Sequence, residues 1–318
     1  MQEGAMTTVL VTGAAGFVGS RLVEKLSSLG HTVTGVDCFL PDLYSSQMKK
    51  DRYEALSSFT GVTLHEKDLR TDDLSDLGEA EIVIHQAAMP GLTKSWEDLK
   101  LYMDNNVLAL DRVIQHASTG ALQNFVQIST SSVYGRTADG SEDAATNPFS
   151  PYGVSKLAAE KLGFAHRDNF GLPFTVLRYF SVYGPGQRPD MAYHRFLKAA
   201  RDRSPITVYG DGEQRRTNTY VDDIVDATIS AMERGTPGEI YNVSGAESYS
   251  INEALGMIGE ISEVELDIRY EPARAGDQRE TKGAIDKARR ELGYDPKWSL
   301  RDGLSAEWEW LSNLPDYG

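Results

Sequence analysis

Cysteine is almost absent from this sequence, and histidine is thinly spread. Cys38 is the only cysteine among 318 residues, which rules out an intrachain disulfide and a metal site built from cysteines. The six histidines include no His-x3-His pair and no adjacent carboxylate cluster, so we expect no bound metal. A lone thiol is typical of a protein that works in a reducing compartment.

Long hydrophobic runs are also lacking. No apolar stretch approaches the ~18 residues that a membrane-spanning helix needs. The N-terminus has no charged segment followed by a hydrophobic one, which is the pattern of a signal peptide. The sequence therefore predicts a cytoplasmic protein that does not associate with a membrane.

Positive charge is scarce. The chain has 32 Lys and Arg against 47 Asp and Glu, a formal net charge of -15. Because nucleic-acid binding depends on basic residues that neutralise phosphates, we expect no nucleic-acid partner. A phosphorylated small molecule is still allowed, since a few arginines and backbone amides can form a local anion site.

The first half of the chain alternates short apolar strands with helices. Strands are predicted at residues 9–12, 32–36, 62–65, 82–84, 125–128 and 174–177, and helices most clearly at 20–29, 99–117 and 154–169. Such alternation indicates a parallel sheet covered by helices on both faces. Further helices are predicted at 193–203, 224–234, 251–261 and 282–292. We therefore predict one domain over residues 7–180, to which later segments return, and a smaller lobe over 181–318.

A glycine-rich turn joins the first predicted strand to the first predicted helix. Its residues are Gly13, Ala14, Ala15, Gly16, Phe17, Val18 and Gly19. In this position backbone amides and a helix N-terminus can face a pyrophosphate, and the missing side chains allow close approach. Asp37 ends the second strand, where a carboxylate can bind ribose hydroxyls and repel a 2′-phosphate, which favours NAD over NADP. The alternative is an ordinary glycine turn beside a surface aspartate.

Two further patterns carry candidate chemistry. Tyr152 and Lys156 lie four residues apart at a predicted helix start, and an ammonium can lower the pKa of a nearby phenol enough for proton transfer. Four hydroxyl residues, Ser129 to Ser132, follow the strand at 125–128, at the sheet edge where ligands bind. Each pattern alone is weak, since the first could decorate a helix surface and the second could be a turn.

Together these residues resemble the extended short-chain dehydrogenase/reductases, and within them the NAD-dependent epimerase/dehydratase family. The resemblance runs from about residue 9 to 310, and its remaining marks are Lys67-Asp68-Leu69-Arg70, His85-Gln86-Ala87-Ala88, Asn105-Asn106-Val107, Leu177-Arg178-Tyr179-Phe180, Tyr209-Gly210-Asp211-Gly212, Tyr220-Val221-Asp222-Asp223 and Arg274-Ala275-Gly276-Asp277. It implies an α/β fold, a Rossmann-type doubly wound parallel sheet with a smaller C-terminal substrate-binding lobe.

The resemblance also implies residue roles. Tyr152 would be the acid/base, Lys156 would hold the nicotinamide ribose and tune that phenol, and Thr130 would bond the reacting hydroxyl. Further cofactor contacts would come from Asp68, Leu69, Ala87, Ala88, Asn105 and Tyr179. The substrate would meet Ser131, Ser132, Ser181, Arg188, Tyr209, Arg216 and Arg274. The chain departs from the family pattern at Ser181, where asparagine is common, and at Arg215, where threonine is usual.

The family resemblance leaves several reactions open. The 4,6-dehydratases of this family carry Asp-Glu where this chain has Ser131 and Ser132, and neutral hydroxyls cannot supply acid and base for eliminating water. We therefore predict a 4-epimerase. Residues 181–192 resemble the same stretch of UDP-glucuronate 4-epimerases, which favours a UDP-uronate over UDP-glucose and UDP-galactose; Arg188 could instead form a loop salt bridge.

Two other classes of function remain possible from the sequence. One is a dehydrogenase or reductase that releases NADH, and the other is a non-catalytic NAD-binding protein. The resemblance further implies a homodimer formed by helices 99–117 and 154–169. Leu108, Val113, Leu157 and Leu162 suit such an interface, although they could equally face the sheet.

Overall fold

The computed structural model describes residues 6–40, 44–118, 120–138, 140–273 and 280–314. Its strands are β1 Thr8–Thr12, β2 Thr32–Asp37, β3 Val62–Glu66, β4 Ile82–His85, β5 Asn124–Thr130, β6 Thr137–Ala138, β7 Phe174–Tyr179, β8 Val182–Tyr183, β9 Ile206–Tyr209, β10 Arg215–Thr217, β11 Thr219–Tyr220, β12 Ile240–Val243, β13 Ser248–Ser250, β14 Ile268–Glu271 and β15 Glu280–Thr281. Its α-helices are α1 Phe17–Ser28, α2 Gln47–Leu56, α3 Leu99–Met103, α4 Ala109–Ala117, α5 Pro151–Phe170, α6 Ala192–Asp202, α7 Val221–Arg234, α8 Ile251–Ser262, α9 Asp286–Leu292 and α10 Leu300–Ser312. A π-helical segment, Asp104–Leu108, joins α3 to α4, and 3-10 turns lie at Ser75–Leu77, Lys94–Trp96 and Ser131–Val133.

The centre of the fold is a parallel sheet of seven strands in the order β12-β7-β5-β4-β1-β2-β3. Helices α1 and α7 cover one face, where Leu22, Leu177 and Ile224 are fully buried. Helices α4 and α5 cover the other face over Leu110 and Phe174. The predicted α/β doubly wound fold is therefore confirmed. The strand order reverses between β1 and β4, and ligands bind at the carboxyl ends of strands on either side of such a point.

The large sheet also draws on the second half of the chain. Strand β12 pairs in parallel with β7, from Ile240 opposite Val176 to Val243 opposite Tyr179. Helix α7 packs against α1 and β5. The division at residue 180 remains a prediction, and segments beyond it belong to the layers of the first sheet.

The strands outside the large sheet belong to a smaller lobe. It contains a four-stranded sheet, β13-β10-β15-β6, and the two-stranded sheets β11-β8 and β14-β9. Helices α6, α8 and α10 pack against one another beside these strands. The loop from 184 to 190, between β8 and α6, leads from this lobe to the carboxyl edge of the large sheet.

Several predicted boundaries were wrong. Helix α1 begins at Phe17 rather than at residue 20, because the glycine turn passes directly into the helix. The helix predicted at 282–292 begins only at Asp286, since residues 282–285 are irregular. Helices α2 and α10 were not predicted. No helix within the described residues is long and apolar enough to cross a membrane, and no group of three or more potential ligands there could hold a metal ion.

Candidate active site

The glycine turn has the geometry that a dinucleotide site requires. Gly13 has φ +71°, and a Cβ there would lie 2.9 Å from the backbone that follows β4. A Cβ on Gly19 would lie 2.0 Å from the carbonyl oxygen of Gly13, so only glycine lets α1 pack this closely. Gly16 precedes α1 without a side chain to cap it, and the first-turn amides, including those of Phe17 and Val18, can therefore face an anion.

Asp37 lies beside this turn at the end of β2 and is 7% exposed. Its carboxylate accepts hydrogen bonds from the backbone N–H of Ala15 at 3.1 Å and of Phe39 at 2.9 Å. Lys49 of the unpredicted helix α2 places its Nζ 3.6 Å from Oδ1. Because a carboxylate has about four acceptor positions, Asp37 can brace the turn and still bind ribose hydroxyls.

The residues after β3 and β4 lie at the same sheet edge as the glycine turn, because β1 to β4 belong to one parallel sheet. Arg70 donates from Nε and from its terminal nitrogen to Asp68 at 2.9 and 2.6 Å, and this hydrogen bonding lowers the pKa of Asp68. Leu69 is buried, and Ala87 and Ala88 are half-buried. This wall is apolar apart from an ion-paired aspartate, which suits a flat aromatic base.

Tyr152 lies at the first turn of α5, opposite the end of β5. Its ring packs edge-on against Tyr102 with centroids 6.2 Å apart. Burial raises the pKa of the Tyr152 phenol, and a hydrogen bond to the Thr130 side chain and the charge of Arg188 both act to lower it. The structure therefore brings together Thr130 and Tyr152, which the sequence placed 22 residues apart.

Lys156 follows one turn later on α5 and is 3% exposed. Burial lowers the pKa of its ammonium group to about 8, against an opposing effect of Glu160. Lys156 in turn helps burial to lower the pKa of His85 to about 3. Among the described residues, Thr130 and Arg188 are the groups that lower the Tyr152 pKa, and the effect of Lys156 on the phenol stays a prediction.

Serine side chains and one arginine surround the phenol. Ser131 and Ser132 form a 3-10 turn capped by Thr130, whose Oγ1 accepts a hydrogen bond from the backbone N–H of Ser132 at 3.2 Å. Arg188 and Tyr152 influence each other's pKa electrostatically, so the guanidinium lies within electrostatic reach of the phenol. Arg188 also donates to Asp190 from Nε at 2.9 Å and from a terminal nitrogen at 2.7 Å.

The loop salt bridge that competed with a substrate role for Arg188 is therefore present. A guanidinium has five N–H donors, and the pair with Asp190 uses two of them. Arg188 consequently has donors left for a ligand. Ser181 is half-buried at the start of the same segment, and its carbonyl accepts a hydrogen bond from Thr219 at 2.9 Å.

The residues predicted to hold the nucleotide lie in the smaller lobe. Tyr209 ends β9 and Arg216 lies in the middle of β10, and both are half-buried. Arg215, which departs from the family pattern, forms a partly exposed ion pair with Glu253 at 2.9 Å and donates to the carbonyl of Ser248 at 2.7 Å. The prediction for Arg274 lies outside the described residues.

The side chain of Tyr179 does not lie with the other predicted binding residues. Its side chain points to the α7 face of the sheet, where its hydroxyl is 2.5 Å from that of Thr228. Alternation along β7 explains this, because the neighbouring Arg178 points to α5. A Tyr179 contact with the cofactor would have to use the backbone.

Comparison with known proteins decides the family. Residues 9–244 match the NAD dependent epimerase/dehydratase family. The chain belongs to this family. The predicted resemblance is thus confirmed over about three quarters of the sequence.

Relatives within this family match over almost their whole length. An uncharacterized UDP-glucose epimerase, YtcB of Bacillus subtilis, is 40% identical over 96% of this chain and 98% of its own. The UDP-glucuronate 4-epimerase of Thermodesulfobacterium geofontis is 33% identical, with 95% of each chain covered. The crystal structure of UDP-glucuronic acid 4-epimerase from Bacillus cereus, in complex with UDP-glucuronic acid and NAD, superposes with a TM-score of 0.92 at 38% identity. It covers 96% of this chain and 98% of that one.

This epimerase/dehydratase site contains a buried asparagine that sequence reasoning missed. The cofactor prediction named Asn105, but its side-chain amide donates to a backbone carbonyl one turn earlier, at 2.8 Å. Asn106 is 1% exposed; its Oδ1 accepts from the backbone N–H of Met89 at 2.6 Å and its Nδ2 donates to Ser155 Oγ at 2.9 Å. Asn106 therefore joins the chain after β4 to α5, next to the candidate lysine. The π-helical segment decides which of the two asparagines faces inward, and the residue pattern does not predict that segment.

A buried ion pair between Arg178 and Glu160 connects the sheet to α5 next to the candidate site. Arg178 donates to Glu160 from Nε at 3.0 Å and from a terminal nitrogen at 2.7 Å, and both side chains are almost fully buried. Ser129 also donates to Glu160, and the Tyr134 hydroxyl accepts from Arg178 at 2.8 Å. Glu160 lies one turn after Lys156, so β5, β7 and α5 are tied together directly beneath the lysine.

Proposed function

We propose that this protein is an NAD-dependent UDP-sugar 4-epimerase that interconverts UDP-glucuronate and UDP-galacturonate through a 4-keto intermediate. The observation that carries the proposal is the pairing of Thr130 with Tyr152 at the carboxyl edge of β5, with Arg188 within electrostatic reach of the phenol. An acid/base phenol and a cation beside it suit a sugar that carries both a reacting hydroxyl and a carboxylate. The relatives described above have such activities in their names.

The chain's own residues fit NAD. The turn from Gly13 to Gly19 offers backbone amides without side chains in the way, and Asp37 offers a carboxylate for ribose hydroxyls. Bound NAD supplies a reversible acceptor for the hydrogen at the sugar C4. The protein's part is to hold the sugar C4 hydroxyl near Tyr152 and to move its proton.

Tyr152 would take the proton of that hydroxyl and later return it. In this proposal Thr130 bonds the same hydroxyl and stabilises the phenolate, as its effect on the Tyr152 pKa in the free protein suggests. The Lys156 ammonium adds positive charge to a buried site, where it acts more strongly than in water. Ser131 and Ser132 carry no acid or base, which leaves the 4-keto sugar to be reduced again rather than dehydrated.

Replacing Arg188 tests the uronate assignment. Arg188→Met is expected to lower kcat/KM for UDP-glucuronate about 30-fold, because a charge-assisted hydrogen bond contributes about 2 kcal/mol. The activity on UDP-glucose should change less than threefold, because this sugar has no carboxylate and Arg188 can then act only through its weak electrostatic effect on Tyr152. Steady-state kinetics on both sugars measures the two ratios, with the exposed Arg195→Met as the matched control. Equal losses on both sugars would contradict a contact with the carboxylate.

The direct test of the function is a substrate panel. Purified protein is incubated with UDP-glucuronate, UDP-glucose and their GDP and dTDP counterparts, and the C4 configuration is followed by NMR. We expect inversion at C4 of UDP-glucuronate with no net release of NADH. Inversion of the neutral sugars alone would replace the uronate by UDP-glucose, and accumulation of free NADH would indicate a dehydrogenase.

We further propose a homodimer that uses the α3, α4 and α5 face. Exposed apolar side chains gather there: Leu99 is 51% exposed, Leu108 58% and Val154 46%, and Trp96 nearby is 69% exposed. Such a group on a protein surface indicates an interaction site. Leu108→Glu is expected to convert dimers to monomers in light scattering at micromolar concentration, whereas Phe170→Glu, exposed at the far end of α5, should not. A Leu108→Glu protein that stays dimeric would exclude this interface.

The location that we propose is the cytoplasm. The support is the single free cysteine, Cys38, which cannot form an intrachain disulfide. Burial raises the pKa of this thiol and so protects it from oxidation.

A further inference from the structure

Glu307 is a fully buried carboxyl group far from the phenol in sequence. It lies in α10 and is 0% exposed. Its Oε2 accepts a hydrogen bond from the backbone N–H of Gly184 at 3.0 Å, while its Oε1 has no hydrogen-bond partner among the described residues. A buried carboxyl group costs stability unless it is hydrogen-bonded or paired with a charge, so the burial of Glu307 needs an explanation.

The surroundings of Glu307 are aromatic rather than cationic. The Tyr183 ring packs edge-on against Tyr193 and Tyr220, with centroids 5.5 and 5.7 Å away. Tyr183 lies against α10 at Gly303, where a Cβ would come within 2.3 Å of its hydroxyl oxygen. Burial raises the pKa of Glu307 well above its usual range, and the Gly184 amide opposes this only in part. Burial therefore favours the protonated form of this carboxyl group, which can still accept the hydrogen bond from Gly184.

The amide that Glu307 holds starts the loop from 184 to 190. Gly184 has φ +128°, a conformation that side chains rarely adopt, so the chain turns sharply there. Gln187 is 2% exposed and closes the loop: its Nε2 donates to the Val182 carbonyl at 2.9 Å, and its Oε1 accepts from the backbone N–H of His194 at 2.9 Å. The next residue is Arg188.

The same loop is also held from the cofactor side. Arg52 of α2 donates to the carbonyl of Gly186 at 2.6 Å. The loop is therefore fixed at Gly184 by the C-terminal helix and at Gly186 by a helix of the first domain. Arg188 follows two residues later, within electrostatic reach of Tyr152.

We infer that Glu307 is a positioning residue: through the Gly184 amide, its carboxyl group sets the conformation of the loop that carries Arg188. The inference rests on the proposed function where it concerns the uronate, since Arg188 is there the contact for the substrate carboxylate. Glu307 itself contacts the backbone of the loop, through Gly184. Its role is to fix where a cation lies.

Three replacements separate positioning from simple packing. Glu307→Gln keeps an acceptor oxygen for Gly184 and should leave the kinetics within twofold of the wild type. Glu307→Met keeps the volume without the acceptor and is expected to raise KM for UDP-glucuronate about tenfold with kcat within about twofold. Glu307→Asp moves the acceptor away from Gly184 by one methylene, so its KM for UDP-glucuronate should lie between those of the Gln and Met variants. This variant keeps the test usable if Glu307→Met does not fold. Glu309→Met, exposed on the same helix, is the matched control.

Crystal structures of the Gln and Met variants give a readout that needs no substrate. We expect the Arg188 guanidinium to stay in place in Glu307→Gln and to shift by more than about 1 Å in Glu307→Met, or in Glu307→Asp in its place. An unmoved Arg188 together with an unchanged KM would overturn the inference. A wild-type protein inactive on UDP-glucuronate would refute the uronate substrate alone, because the position of Arg188 in the variants would still decide the role of Glu307.

Discussion

Tyr152→Phe is expected to reduce kcat about 1,000-fold while the protein keeps its NAD. The substitution removes only the hydroxyl oxygen, so the ring still packs against Tyr102. General acid/base catalysis by a positioned side chain contributes about 100- to 10,000-fold, and no other acid or base is placed beside Thr130 in the described part of the site. The glycine turn and Asp37 are untouched, so cofactor binding should persist.

Two measurements check this result. Turnover is followed by NMR of the C4 epimers, and retained NAD is quantified after the protein is denatured. Tyr270→Phe is the matched control, because Tyr270 is 55% exposed in the smaller lobe. A Tyr152→Phe enzyme of wild-type activity would remove the phenol from the mechanism, whereas loss of activity together with loss of NAD would indicate damage to the cofactor site.

Lys156→Met is expected to lower kcat/KM about 100-fold, the second largest effect. Electrostatic stabilisation by one buried group is worth about 2.7 kcal/mol or more in an enclosed site, and Lys156 is 3% exposed. Lys161→Met, five residues further along α5 and exposed, should have almost no effect. Steady-state kinetics with a measurement of NAD content checks both. A Lys156→Met protein within fivefold of the wild type would show that this charge is dispensable.

The same lysine predicts a pH dependence. Burial brings the pKa of Lys156 down to about 8, so the ammonium form is present below that pH and disappears as the pH rises through it. If the reaction needs the ammonium, kcat/KM of the wild type should fall above about pH 8, since this ratio reports the free enzyme. In Lys156→Met the fall at that pH should be missing. A wild-type profile that rises without a break to pH 9.5 would contradict this assignment.

The sequence could predict the sheet and one edge of the site because both follow from local patterns. Apolar strands and the turn at Gly13 need only neighbouring residues to be recognised, and parallel strands bring Asp37 and Thr130 to one edge automatically. The charged helix α2, with few apolar residues, gave no periodic signal. Helix α10 could have been found, since Ser299 caps it and Leu300 and Leu304 lie one turn apart on its buried face.

Properties that depend on packing could not be read from residue spacing. The four-residue interval between Tyr152 and Lys156 shows neither that burial dominates the pKa of both groups nor that Thr130 and Arg188 act on Tyr152. Likewise, Leu108 and Val113 both suited an interface, yet Leu108 is exposed and Val113 fully buried. Their difference depends on the π turn and on the core around α4, which only the folded chain reveals.

The pairing of β12 with β7 limits where this chain can be truncated. Expression of the first 180 residues alone would leave β7, Phe174–Tyr179, as an unpaired edge strand. All six of its residues are buried in the whole protein. An unpaired apolar edge is a template for aggregation. A soluble N-terminal fragment would therefore have to extend at least to Val243, so that β12 is present to pair with β7.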